Sequence, residues 1–91
     1  MDRAIITVVG KDTVGIIAAV CTYLAKNNIN ILDISQTIVQ GYFNMMMIVD
    51  TQKLERPFGE MADELTALGA DEIGVQIKCQ KEEIFDSMHR I

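Results

Sequence analysis

The sequence predicts one α+β sandwich of order βαββαβ, with two helices on one face of a four-stranded antiparallel sheet and a short helix after the last strand. Three observations carry this reading. Apolar runs of strand length alternate with apolar residues at helical spacing, Gly, Pro and Asn mark the boundaries between them, and 91 residues suffice for one core. The domain is expected over residues 1–91, with the sandwich at about 2–80 and the added helix at about 82–91.

Ala4 to Val9 is apolar at nearly every position, as a strand in the middle of a sheet should be. Gly10 to Gly15 then changes the period, and the two glycines allow tight turns. From Gly15 to Asn27 the residues Ile16, Ile17, Val20, Cys21 and Leu24 recur at helical spacing, and Asn27-Asn28 closes the helix. Asp12 or Thr13 is expected to cap it. Ile29 to Val39 and Tyr42 to Asp50 read as the arms of a hairpin turning at Gln40-Gly41. In the first arm Ile29 and Ile31 share one parity and Leu32, Ile34 and Ile38 the other, so a bulge is expected near Leu32-Asp33.

Pro57 opens a second helix in which Phe58, Met61, Leu65 and Leu68 form the apolar stripe, and Gly69 is expected to end it. Ile73 to Cys79 alternates cleanly as a fourth strand. Glu82 to Ile91 places Ile84, Phe85, Met88 and Ile91 on one helical face, with acidic residues at the favourable N-terminal end. This order is the split βαβ arrangement of ferredoxin-like folds. Both parities of the first and third strands carry apolar residues, so the second sheet face is expected to be covered by the added helix, by another subunit, or by both.

The net charge of −5 and pI near 4.6 argue against nucleic acid and anionic membranes, which need clustered Lys and Arg. No apolar run reaches the roughly 18 residues of a membrane span, and the strand pattern starts at once after Met1-Asp2-Arg3, so a cytoplasmic protein without a signal peptide is expected. Cys21 and Cys79 form no CxxC pair and fall on apolar stripes, which predicts two packed thiols rather than a zinc or redox site. His89 has no neighbouring ligand residues, which leaves metal binding and histidine catalysis without a constellation. Met45-Met46-Met47 point alternately to opposite faces, so they read as core filling rather than a sulfur site.

The segment Gly10-Lys11-Asp12-Thr13-Val14-Gly15 spaces its glycines like a P-loop, but Ile16-Ile17 stands where Lys and Ser or Thr are needed. Nucleotide hydrolysis is therefore not expected, nor does the segment match the dinucleotide fingerprint GxGxxG. A helix N-terminus able to hold a carboxylate remains. If Asp12 is not simply a cap, it or another acceptor can meet an ammonium, and a zwitterionic amino acid satisfies both requirements.

The loop Val8 to Ile16, the βαββαβ order and the stretch Asn28-Ile29-Asn30-Ile31-Leu32-Asp33-Ile34-Ser35-Gln36 together resemble an ACT domain. Across nearly its whole length the chain is similar to small proteins made of one such domain plus a short helix. The resemblance implies a non-enzymatic regulatory domain that binds amino acids or other small effectors where two copies join their sheets side by side. It places the ligand against Gly10, Asp12, Thr13, Val14, Gly15 and Ile16 of one subunit and against the region of Asn30, Ile31 and Asp33 of the other, and it implies no cofactor or metal. With no enzyme domain in the sequence, any regulatory output is expected either to pass through another protein or to be absent. A ligand-free dimerisation module is the alternative. An acylphosphatase-like hydrolase is disfavoured because that chemistry needs an arginine in the loop, and Arg3, Arg56 and Arg90 all lie outside it.

Overall fold

The computed structural model of the chain describes residues 2–83. Strands β1 (Arg3–Lys11), β2 (Asn30–Val39), β3 (Tyr42–Asp50) and β4 (Gln76–Lys81) form one sheet in the order β2-β3-β1-β4. Every neighbouring pair is antiparallel. The central position expected for the first strand is the one β1 occupies. Helices α1 (Ile16–Lys26) and α2 (Phe58–Ala67) supply the second layer of the ferredoxin-like sandwich. The expected helix over Glu82–Ile91 lies, beyond Glu83, outside the described residues, as does His89.

Cross-strand partners share a face, so the register sorts the side chains. Ala4, Ile6 and Val8 stand beside Val49, Met47 and Met45 on one side and beside Lys81, Cys79 and Ile77 on the other. Most of these are buried beneath Ile16, Val20 and Leu24 of α1 and Met61 and Leu65 of α2. Each fully buried Ile, Leu, Val or Met contributes about 1.5–3 kcal/mol. The opposite face carries Thr7, Ser35, Thr37, Asn44, Gln76 and Lys78 among Ile5, Val9, Met46 and Ile48. It is mixed rather than apolar, because polar residues of β2 and β4 fall there, yet Ile5 on this face is buried. Met45 and Met47 fill the core, whereas Met46 is exposed. The two thiols are half-buried.

Several boundaries follow from close approach rather than periodicity. The register of β2 against β3 shifts between Ile31 and Asp33, leaving Leu32 as the extra residue where a bulge was expected. Gln40 and Gly41, at φ 52° and 82°, make the two-residue hairpin turn. Gly69 does not end the second helix. The chain continues through a π-helical segment, Leu68–Ile73, and stops at Gly74, which takes φ 86°. The buried Gly69 is small for packing: a Cβ there would lie 2.7 Å from the Val75 carbonyl and from Ile77 Cγ1. This longer helical run delays the fourth strand from the expected Ile73 to Gln76. Gly10, expected to form a turn, lies inside β1, and its missing side chain makes room for Val75, whose Cγ1 would be 2.7 Å from a Cβ.

A polar clasp joins the outer surfaces of the helices. Arg56 donates to Glu64 Oε2 at 2.6 Å, to the Tyr23 hydroxyl at 2.8 Å and to Asn27 Oδ1 at 3.1 Å, and it also bonds Glu64 Oε1. The Tyr23 hydroxyl in turn donates to Glu64 at 2.6 Å. The Arg56 guanidinium and the Tyr23 hydroxyl hold the Glu64 carboxyl down at about 2. Burial and the neighbouring carboxylate push Tyr23 up to about 12.

Candidate functional site

Lys11 ends β1 opposite Tyr42, and the Asp12 amide prolongs the ladder by donating to the Gly41 carbonyl at 2.8 Å. Thr13 and Val14 then turn outward, with Val14 fully exposed. Gly15, at φ 92° and ψ 0°, directs the chain into α1, and its carbonyl accepts the first helical bond from the Ala19 amide at 2.9 Å. A capping side chain must belong to the residue whose carbonyl takes that bond. Here that residue is Gly15, so neither Asp12 nor Thr13 caps the helix, contrary to expectation, and no side chain bonds the α1 terminus. The first-turn amides remain donors without a side-chain partner.

Across from this loop lies the π-helical segment. A groove of about 330 Å³ separates them, lined by Thr13, Val14, Gly15 and Ala19 on one wall and Leu68, Glu72 and Ile73 on the other. One wall offers the amide end of α1, and the other carries Glu72 near the C-terminal end of the π-helical segment. Leu68, Glu72 and Ile73 were not anticipated as site residues. The signal available in the sequence was the pair Gly69 and Gly74, one demanding close packing and the other a left-handed turn.

Gly10, Asp12, Thr13, Val14, Gly15 and Ile16 are thus gathered at one end of the sheet. Asn30, Ile31 and Asp33 are not with them: Asn30 stands opposite Asp50, which stands opposite Arg3, at the far end of β1 from Lys11. At about 3.3 Å per residue this separation is roughly 26 Å, so one chain does not bring the two groups together. Asp33 is engaged locally, accepting the Ile34 amide at 2.8 Å.

A second hollow, of about 430 Å³, lies at that far end between residues including Arg3, Leu54, Arg56, Phe58 and Lys81. Its cations are engaged: Arg3 pairs with Glu82 at 3.0 Å, Arg56 sits in the clasp, and Lys81 lies 5.7 Å over the Phe58 ring. Among the described residues no three of His, Cys, Asp and Glu gather to hold a metal. Burial pushes the Cys79 thiol up to about 12, so it stays protonated and unreactive at neutral pH. No helix among the described residues is long and apolar enough to cross a membrane.

A strand feeding an uncapped helix within a βαββαβ sandwich is the architecture of a ferredoxin-like small domain. Residues 2–80 match the ACT domain family model, and the chain belongs to the ACT domain family. ACT domains are regulatory rather than catalytic and commonly bind small ligands. Within that family it is 66% identical, over the full length of both chains, to a UPF0237 protein of Bifidobacterium longum. It is also similar in structure to an ACT domain protein from Streptococcus pneumoniae, at 41% identity and TM-score 0.81 over 93% of this chain and 94% of that one. The regulatory subunit of aspartate kinase from Thermus thermophilus superimposes with TM-score 0.65 at 27% identity, over 87% of this chain and 50% of its own.

Proposed function

We propose that this protein is a non-enzymatic, cytoplasmic sensor of a small amino acid that works as a homodimer and transmits ligand occupancy to a partner protein. The observation that carries this reading is the groove at the loop end. Its α1 wall presents amides without a side-chain cap, and its opposite wall presents Glu72. A carboxylate suits the first and an ammonium the second, while Ala19, Leu68 and Ile73 suit a short apolar side chain between them. Asp12, not needed as a cap, is available to the ligand. Asn30, Ile31 and Asp33 of a second copy complete the site in this reading. The named function of the aspartate kinase regulatory subunit, a protein of related fold, is consistent with it.

Thermal unfolding in the presence of each amino acid tests the proposal. A cognate ligand at about a hundred times its Kd stabilises by about 2.7 kcal/mol, and Asp12→Ala loses most of that gain while unfolding normally without ligand. If no amino acid at millimolar concentration moves the wild-type midpoint, the sensor reading fails and the ligand-free dimerisation module replaces it.

A further inference from the structure

Ile5 is only 6% exposed, yet it lies outside the core cluster, whose members pack beneath α1 and α2 on the other face of the sheet. Within the sheet it is flanked by Ile48 of β3 and Gln80 of β4, and by Arg3 and Thr7 along its own strand. Such in-plane neighbours shield the flanks of a side chain that stands upright on a sheet, but not its tip. Leu54, from the connection into α2, packs against the core cluster and so does not reach over Ile5. The burial exists within one chain, so that chain supplies the cover and a second copy is not needed for it.

Exposure on this open face is graded. Thr7 and Ile48 are half-buried, whereas Met46, opposite Thr7, and Val9, further along β1, are 41% and 43% exposed. The cover therefore lies over the Arg3 end of β1 and stops short of the loop end. The chain leaves β4 at that same end. After Ala4–Lys81 the next position of the register is Arg3–Glu82, and these two side chains pair at 3.0 Å on the open face. At Glu82 and Glu83 the backbone turns from strand to helix. Residues 84–91 follow, with Ile84, Phe85, Met88 and Ile91 at helical spacing.

We propose that the open face of the sheet is the docking site of residues 84–91 of the same chain, which lie across it as a helix with Phe85 and Met88 seated on Ile5 and Ile48. At a rise of about 1.5 Å per residue, a helix begun at Glu82 carries Phe85 and Met88 about 4.5 and 9 Å forward, on either side of Ile5, which stands about 7 Å from Arg3. Ile91 then falls about 14 Å along, level with Thr7 at about 13 Å and short of Val9 at about 20 Å. The reach of the segment ends where exposure begins. The C-terminal segment is thus a third layer of the domain, held at its start by the Arg3–Glu82 pair, whether or not the protein binds a ligand or forms a dimer.

NMR of the full wild-type chain, uniformly labelled, is the test. Nuclear Overhauser contacts run from the Phe85 ring and the Met88 methyl group to the methyl groups of Ile5 and Ile48, and none reaches Val9. The amides of residues 85–89 exchange about tenfold or more slowly than in an unfolded chain. In an equal mixture of labelled and unlabelled copies, the contacts stay within a copy. Contacts from Phe85 to another surface, amides over 85–89 that exchange at the unfolded rate, or contacts that cross between copies each overturn the proposal.

Discussion

The two ends of the sheet are built from different materials. Gly10, Gly15, Gly41, Gly69 and Gly74 cluster at the loop end, where backbone approaches backbone and two bends require positive φ on the way into α1 and β4. At the opposite end Arg3, Arg56 and Lys81 are each matched to a carboxylate or an aromatic ring. An end shaped by glycine keeps amides available because no side chain intrudes to bond them. An end shaped by charged side chains satisfies its own groups. The difference explains why the smaller hollow, rather than the larger, is the candidate ligand site.

The contrast is broken most severely by adding atoms to the glycine end. Gly69→Ala places a Cβ 2.7 Å from a backbone carbonyl that cannot rotate away. A loss of about 3 kcal/mol is expected from the urea midpoint. Gly15→Ala meets open space but must hold φ 92°, so about 1 kcal/mol is lost, together with ligand-induced stabilisation. If Gly15→Ala proved as damaging as Gly69→Ala, the loop would be a packing element rather than an open one.

The charged end makes its prediction through pH. Because the Glu64 carboxyl is lowered from 4.5 to about 2 in the folded chain, its contribution is fully present above pH 4.5 and is lost as pH falls from there toward 2. The Tyr23 hydroxyl is raised from 10.0 to about 12, so its contribution is fully present below pH 10 and is lost as pH rises toward 12. Arg56→Ala should lower the midpoint modestly at pH 7 and flatten the acid limb of a midpoint–pH curve. A variant whose acid limb matched the wild type would show that the clasp does not couple α1 to α2. The smallest effect belongs to Asp12→Ala without ligand, within about 0.5 kcal/mol of wild type, since Asp12 caps nothing. A larger loss would restore its role as a cap.

The elements most legible in the sequence were those whose side chains alone report their surroundings. The unbroken apolar run of β1 marked the central strand, the stripe Ile16, Val20 and Leu24 marked the buried face of α1, and the parity switch at Leu32 marked the bulge. Gly10 and Gly69 were legible as glycines but not as contacts. Each is required by a residue far along the chain, Val75 for the one and Val75 with Ile77 for the other. The π-helical segment was hidden for the same reason: apolar spacing through Leu68 continues beyond a glycine that periodicity reads as a stop.

By itself the sequence determined the order of strands and helices, the buried stripes, the hairpin turn and the place of the bulge, because these follow from residue-by-residue period and backbone preference. Only the tertiary structure decided which residue caps α1, which wall faces the loop, and which end of the open sheet face is buried. Those depend on distances between segments that local pattern does not encode: a bond from Asp12 to the hairpin turn, a glycine pressed against Val75, and an ion pair from Arg3 to Glu82.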